Sequence, residues 1–345
     1  MPNNTHSSSL DLTLYLTTQF GTAICLMILS PVTIISNVLL LLTIFKDPLK
    51  CFRTPATYFI VALALVDFTT GVFIEPVFII DRMLRYFTWS SVLREPYKSL
   101  SQFGVLFSYL GLNSSFLLVL GLIWSQYIAI TFPHRYRSIV TTRRVLACIV
   151  LSCVYFTVFI LLSYAGLQPQ TLFQVDLHLH STLITVFLII GSFMLLRSFC
   201  KFAKTSRRLR AGTENSEAQN TRGHAGTTLS NKISERQFTI VTLLLSGILI
   251  VCALPHIILL HVSFYMKHET RQERLDINAG ITIGDGMMSL KVALDAFIYA
   301  WRLTKYRRSL KIMLRCRASQ VEPGATEIKT MEEQRQPESS TSSNQ

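Results

Sequence analysis

Charged residues are scarce in this chain and unevenly placed. Asp, Glu, Lys and Arg make up 15% of the 345 residues and hydrophobic residues make up 50%, with a mean hydropathy of +0.40. This balance is too apolar for an ordinary soluble domain. The net charge of +13 would suit a nucleic-acid-binding protein, but the Lys and Arg residues avoid the apolar runs and lie between them. Nucleic acid is therefore not an expected partner.

Seven apolar runs are long enough to cross a bilayer as helices. No internal repeat of about 20 to 50 residues is visible, which gives little support to a solenoid or to an inverted-repeat transporter. We predict an all-α membrane protein in which residues 20–300 form a seven-transmembrane helix bundle. The runs are approximately Phe20–Phe45, Ala56–Ile80, Ser101–Thr131, Val145–Ala165, Leu179–Phe199, Phe238–Met266 and Asn278–Ala300.

The distribution of Lys and Arg predicts the orientation of the bundle. With the N-terminus outside, the inner segments hold 25 of the 33 basic residues and the outer segments hold seven. Cytoplasmic loops carry such an excess. We therefore expect a multi-pass plasma-membrane protein with a short extracellular N-terminus, residues 1–19. Asn3, in the sequon Asn3-Asn4-Thr5, is a candidate glycosylation site there.

Cysteine is missing from every predicted outer segment. All seven Cys residues lie within the apolar runs or on the inner side, which excludes an extracellular disulfide although an outside segment could form one. The His residues lack the spacing of a metal-ligand cluster. We predict no metal site and no cofactor.

Short motifs occur in order along the runs: SNV in the first, RTP and LALVD at the second, SQYIAI in the third, CALP in the sixth and DAFIY in the seventh. Over residues 30–316 the chain resembles the rhodopsin-like (class A) G-protein-coupled receptors. The resemblance implies a receptor, not an enzyme, that transduces an extracellular ligand to heterotrimeric G proteins. The short second outer loop without Cys and the fifth run without Pro are loosely similar to the melanocortin, cannabinoid and sphingolipid receptors. The alternatives are a retinal-binding light sensor and a seven-span transporter or intramembrane hydrolase.

The chain departs from this family at its switch positions. The acidic-Arg-Tyr triplet of the family is Ser125-Gln126-Tyr127 here, and the Trp of CWLP is Ala253. Because Gln cannot form the bidentate ion pair of Arg, we expect a weaker resting contact with the sixth-span acid and weaker coupling. The residues with implied switch or coupling roles are Ser125, Gln126, Tyr127, Glu235, Pro255 and Tyr299.

Ionisable residues lie within the apolar runs. Lys291 and Asp295 are four residues apart and share one helix face, and each costs about 3 kcal/mol at membrane depth unless it is paired. The resemblance implies that Asp67, Ser115 and Asp295 occupy the positions that hold a sodium ion in the family. We predict a buried charge cluster in which the ammonium of Lys291 supplies the positive charge, formed by Asn37, Asp67, Ser115, Lys291 and Asp295. The alternative is a core ion pair without a regulatory role.

The outer half of the bundle is the expected ligand pocket, for a small molecule, a lipid or a peptide. Ser108 stands where amine receptors have an Asp, which disfavours a monoamine. Glu75 and Asp285 would instead bind a cation; the alternative is that Glu75 pairs only with Arg82, two turns above it. The candidate pocket residues are Glu75, Ser108, Tyr109, Leu112, His256, Leu260, Asp285 and Ser289.

The inner segments carry the remaining signals. The loop at about 205–231 is rich in Ser, Thr, Asn and Gly and is predicted to be disordered. Apolar residues recur on one face of residues 301–316, which predicts an eighth, amphipathic helix bound to lipid of the inner leaflet. Cys316 at its end is a candidate palmitoylation site. Residues 317–345 are predicted to form a disordered cytoplasmic tail whose Ser/Thr cluster would contact arrestin once phosphorylated.

Overall fold

The computed structural model describes the backbone of residues 4–49, 52, 54–87, 97–162, 165–214, 225–266 and 270–321. Side chains are described within residues 12–205 and 236–315 of these ranges, Pro169 excepted. All seven apolar runs form helices, and an eighth helix follows them. The seven spans and the eighth helix are Asn4–Lys46, Pro55–Phe87, Lys98–Thr131, Thr142–Leu161, Pro169–Glu214, Ala225–Tyr265, Arg271–Arg302 and Thr304–Val321, with a short helix, Pro133–Ile139, in the second inner loop.

Most of the helices are longer than the apolar runs because polar residues extend them at one or both ends; the fourth helix, Thr142–Leu161, instead ends before its run does. The first helix begins at Asn4, so most of the segment predicted as an extracellular N-terminus continues the first span. The fifth helix runs to Glu214 and the sixth starts at Ala225, which makes both ends of the predicted disordered loop helical. The third inner loop is therefore shorter than composition suggested.

Six helices in the described part of the chain are apolar and long enough to cross a membrane. The seventh span is more polar, since Asp285, Lys291 and Asp295 lie along it, and Lys291 and Asp295 are buried. Such residues are tolerated at membrane depth when they face the interior of a bundle. The molecule is a helical membrane bundle, as predicted.

The third span lies at the centre of the bundle and packs against the second, fourth, fifth and sixth spans. Two glycines of this helix permit the close approach of the second span. A Cβ at Gly104 would lie 2.6 Å from Val77 Cγ1, and a Cβ at Gly121 would lie 2.7 Å from the Phe59 ring. Small residues at a helix interface serve this purpose in membrane proteins. The first span closes the bundle against the second and seventh spans.

Two spans contain a π-helical segment: Thr70–Ile74 in the second and Asp176–Leu183 in the fifth. A π-helix forms i→i+5 hydrogen bonds, and such segments occur frequently at functional sites. Because a π-turn holds more residues than an α-turn, the residues after it are rotated relative to an ideal α-helical wheel. The sixth span also contains a helix-perturbing residue, Pro255, within one continuous helix from Ala225 to Tyr265.

The eighth helix spans Thr304–Val321, slightly later than the predicted 301–316, because the seventh helix continues to Arg302. Tyr306 is buried, which raises the pKa of its phenol, and a hydrogen bond with Thr43 of the first span opposes this shift. Gln237 of the sixth span donates to Thr304 at 3.1 Å. The helix is therefore attached to the bundle, while its contact with the inner leaflet stays a prediction.

Candidate functional site

A cavity of about 360 Å³ is lined by residues of the second, third, sixth and seventh spans, together with a few from the first and fifth. Its volume is near the lower end of the range of about 300–1,000 Å³ for small-molecule sites. Seven of the eight residues predicted from helical facing line it: Ser108, Tyr109, Leu112, His256, Leu260, Asp285 and Ser289. These residues therefore lie around one cavity, and their role in binding a ligand stays a prediction.

Glu75 is the exception among the pocket candidates. Its side chain is fully buried, it does not line the cavity, and neither carboxylate oxygen has a hydrogen-bond partner among the described residues. The π-helical segment Thr70–Ile74 ends directly before it and changes the facing of the residues that follow. The prediction of Glu75 as a pocket residue was wrong because it assumed an unbroken α-helix.

Arg82, rather than Glu75, is the residue of the second span that reaches the acid of the seventh. Its Nη2 donates to Asp285 Oδ2 at 3.0 Å, and the two side chains are 5% and 35% exposed. His256 Nδ1 lies 3.6 Å from the other carboxylate oxygen of Asp285. The alternative pairing of Glu75 with Arg82 is therefore wrong. Asp285 is also not a free acid awaiting a cation.

The charge cluster forms the floor of the same cavity, which Asp67, Ser115 and Lys291 also line. Lys291 Nζ lies 2.7 Å from Asp295 Oδ2 and donates to Ser115 Oγ at 2.6 Å. Both charged side chains are 1% exposed. Asp67 is buried and interacts electrostatically with Lys291 and Asp295. One ammonium therefore balances one ionised carboxylate in a cluster of two carboxyl groups, which would repel each other if both were ionised.

Two further residues with predicted roles, Asn37 and Tyr299, are buried in the core. Asn37 is buried in the first span, but its Nδ2 donates to the carbonyl of Thr33 one turn earlier, at 2.9 Å. Tyr299 is buried one turn after Asp295 and interacts with its carboxyl group. Asn37 supports its own helix, and the hydroxyl of Tyr299 has no hydrogen-bond partner among the described residues.

The predicted switch residues meet the sixth span through a neutral contact. Ser125 and Gln126 are buried, and Gln126 Oε1 accepts a hydrogen bond from Thr239 Oγ1 at 3.3 Å. Tyr127 is half-buried, and its ring packs edge-on against Trp124. The side chain of Glu235, the predicted partner of Gln126, lies outside the described residues, as do Asn3 and the side chain of Cys316.

Comparison with known proteins decides the family. The family described as 7 transmembrane receptor (rhodopsin family) matches residues 36–299, more than half of the chain. The chain belongs to the rhodopsin family of seven-transmembrane receptors. It is also similar to a muscarinic acetylcholine receptor of Drosophila melanogaster, with 31% identity over 117 residues. That similarity covers 34% of this chain and spans only 13% of the length of the Drosophila protein.

The family assignment makes the chain a receptor rather than an enzyme. The resemblance to this family implies a sodium ion at the floor of the cavity. The residues of this receptor do not fit that ion, because Lys291 Nζ already lies at 2.6–2.7 Å from Ser115 and Asp295. Sodium and ammonium would compete for the same oxygen atoms. The receptor therefore carries a tethered cation.

A second buried polar network in this receptor was not among the predictions. Asp176 Oδ1 accepts from Asn113 Nδ2 at 2.5 Å and lies 3.0 Å from His180 Nδ1, and His180 Nε2 lies 2.9 Å from the hydroxyl of Tyr155. The network links the third, fourth and fifth spans, and Asp176 also lines the cavity. Asp176 was assigned to the outer loop before the fifth span. Its spacing of four residues from His180, one helical turn, was the available signal.

Proposed function

We propose that this receptor binds a small extracellular ligand in the cavity and transmits the signal to a heterotrimeric G protein at its inner face. The proposal places it in the plasma membrane with its N-terminus outside. The observation that carries it is one continuous cavity, which is lined by Tyr109 and Asp285 in its outer part and by Ser115 and Lys291 at its floor. A ligand in this cavity would contact both the pocket and the buried charge cluster.

This arrangement supports signalling because a ligand can shift a conformational equilibrium only through unequal affinity for the two states. The sixth and seventh spans both line the cavity, through His256 and Asp285 among others. The sixth span continues to the inner side, where Thr239 contacts Gln126. Movement of the sixth span would thus connect ligand contacts to the surface that we propose for the G protein.

Acetylcholine is not the ligand that the site supports. The similarity to the muscarinic receptor covers a third of this chain. Ser108 stands where amine receptors place an acid, and its hydroxyl donates to the carbonyl of Val105 at 2.7 Å. The cavity therefore lacks the carboxylate at the position where a monoamine would be held.

The alternative function of a retinal-binding light sensor is also poorly supported. A Schiff base requires a neutral amine that faces the chromophore, whereas Lys291 Nζ is bound between Ser115 and Asp295. An absorption band that hydroxylamine bleaches, and that Lys291→Asn abolishes, would overturn this interpretation. The proposal of a G-protein-coupled receptor also includes lipid contact of the eighth helix, palmitoylation of Cys316, glycosylation of Asn3 and arrestin binding to the tail.

The test is ligand-stimulated nucleotide exchange. Cells expressing the receptor with a panel of Gα reporters are screened with small molecules, and each active compound is tested on Leu112→Trp, which fills the cavity. We expect the response to disappear in this variant at equal surface expression. An active compound whose effect persists in Leu112→Trp would place the ligand elsewhere. Purified receptor that accelerates exchange on no Gα subtype would contradict coupling to G proteins.

A further inference from the structure

The outer cavity contains acids that are already paired and bases that are not fully used. Asp81 accepts two hydrogen bonds from Arg85, at 2.7 and 3.3 Å. Asp176 is bound by Asn113 and His180, and Asp285 by Arg82. No acid of the described outer cavity therefore has an unmet need for a cation. The fourth acid, Asp67, lines the floor of the cavity with Lys291, and neither of its carboxyl oxygens has a hydrogen-bond partner among the described residues.

Arg82, unlike the acids of the outer cavity, is only partly paired. A guanidinium has five N–H donors in a planar fork that matches a carboxylate. Arg82 contacts Asp285 through Nη2 alone, and its buried Nη1 has no hydrogen-bond partner among the described residues. A buried donor without a partner is unfavourable until an acceptor reaches it. The Arg82 side chain is too deeply buried to be satisfied by bulk water.

His256 presents a second unused nitrogen on the same side of the cavity. Its Nδ1 is buried, has no hydrogen-bond partner among the described residues, and lies 3.6 Å from Asp285 Oδ1. Gly284 leaves room for the ring there, because a Cβ at this position would lie 2.6 Å from Nδ1. His256 thus directs an unsatisfied nitrogen toward Asp285 of the seventh span, and Arg82 contacts the same carboxylate through Nη2 while its Nη1 stays unsatisfied.

Polar side chains such as Ser108 and Tyr109 line this cavity, and apolar side chains line part of it as well. Leu112 and Met288 line the cavity one turn before Ser115 and Lys291, so they lie between the Arg82–Asp285 pair and the charge cluster. A ligand that fills this space needs an apolar body and an acceptor at one end. A cationic ligand would instead have to remove Asp285 from Arg82 and leave a buried guanidinium without a partner.

We infer that the ligand is a small amphiphilic carboxylate whose acid group binds Arg82 and His256 beside Asp285, with its apolar body against Leu112 and Met288. This inference rests on the proposed function only for the location of the ligand. Arg82 would accommodate the carboxylate through a side-chain adjustment, which is common on binding. The carboxylate would connect the second, sixth and seventh spans.

The experiment measures binding without a G protein. Purified receptor in lipid nanodiscs is heated with straight-chain carboxylic acids from hexanoate to hexadecanoate, and with the alcohols and amines of the same chain lengths. The matched control is Arg85→Gln, because Arg85 lies one turn after Arg82, lines the same cavity and pairs with Asp81 through two of its nitrogens. Empty nanodiscs report partition of each compound into lipid.

We expect the acids to raise the melting temperature at lower concentration than the alcohols and the amines to have no effect. Arg82→Gln should weaken the acid by roughly tenfold or more, as loss of a charge-assisted contact implies, and Arg85→Gln should not. Arg82→Lys keeps the charge and loses the fork, so it should show an intermediate effect. If Arg82→Gln does not fold, the comparison of acid, alcohol and amine in the parent and in Arg82→Lys still decides.

Three results would overturn the inference: stabilisation by amines in preference to acids, no stabilisation by any acid of the series, or an acid preference that Arg82→Gln retains. Failure here is separate from failure of the proposed function. A receptor that activates a G protein but does not bind acids would keep its function and lose this ligand class. A receptor that binds acids but causes no nucleotide exchange would keep this ligand class and lose the proposed coupling to a G protein.

Discussion

Replacing Lys291 tests whether its ammonium holds the core together. Lys291→Met removes the positive charge and leaves the carboxyl groups of Asp67 and Asp295 buried next to each other. At the 2.7 Å separation of Lys291 Nζ and Asp295 Oδ2, the Coulomb energy is about 6 kcal/mol at an effective dielectric constant of about 20. Desolvation of both ions offsets part of this energy, and removing one partner of a buried pair typically costs about 3–5 kcal/mol.

The expected loss is visible in a thermal assay. Since about 1 kcal/mol shifts the melting temperature of domains of about 150–250 residues by about 2–4 °C, Lys291→Met should lower it by on the order of 10 °C. Lys291→Met combined with Asp295→Asn removes both members of the pair, and should recover much of the loss. The measurement is the melting temperature of purified receptor in one detergent.

Lys291→Asn gives the complementary result. It removes the ammonium but leaves the oxygen atoms of Asp67, Ser115 and Asp295 available, so sodium should stabilise this variant and not the parent. When sodium exceeds its dissociation constant about tenfold, the gain is about 1.4 kcal/mol. Potassium at equal ionic strength is the control. A parent receptor with the same sodium response as Lys291→Asn, or a Lys291→Met variant as stable as the parent, would refute the role given to Lys291.

Three further predictions concern the inner face, the outer face and helix packing. Converting Ser125-Gln126 to Asp-Arg should raise ligand-stimulated exchange and lower basal exchange, because it restores the charged contacts; equal signalling at matched expression would show that Gln126 does not limit coupling. Dithiothreitol should leave the melting temperature unchanged, since no predicted outer segment contains Cys, and a drop would reveal a misassigned topology. Gly104→Ala should destabilise by about 1–3 kcal/mol through overpacking, because the new Cβ would meet the second span at 2.6 Å. Gly247→Ala, with nothing within 4 Å of the new Cβ, is the control, and equal melting temperatures would contradict the packing argument.

The sequence was sufficient for features that depend on helical periodicity over one or two turns. Lys291 and Asp295, four residues apart, are paired as expected, and Ser115 joins them. The family was also predicted, because its motifs lie at fixed points along the spans and the matched region covers residues 36–299. A local distortion of a helix does not change the order of motifs along the chain, and it leaves pairs within a regular turn elsewhere in place.

Features beyond a π-helical segment could not be predicted in the same way. Glu75 follows the segment in the second span and faces away from the cavity, whereas Arg82 lines it. Asp176 and His180 lie within the segment of the fifth span and form a buried network. The sequence patterns considered above do not signal a π-turn, so the facing of Glu75 and Arg82 required the structure, whereas the four-residue spacing of Asp176 and His180 was visible in the sequence.

We expect the sixth helix, which is continuous, to bend at Pro255 when it moves. Proline lacks an N–H, so the carbonyl of Val251 has no i→i+4 donor there and the helix bends most easily at this turn. At about 1.5 Å per residue, Thr239 lies about 24 Å and Ala225 about 45 Å from that pivot. A tilt of about 10° would move Thr239 by about 4 Å and Ala225 by about 8 Å. The first displacement exceeds the 3.3 Å length of the Thr239–Gln126 hydrogen bond. A small change at His256, next to the pivot, would therefore suffice to separate the inner ends of the third and sixth spans.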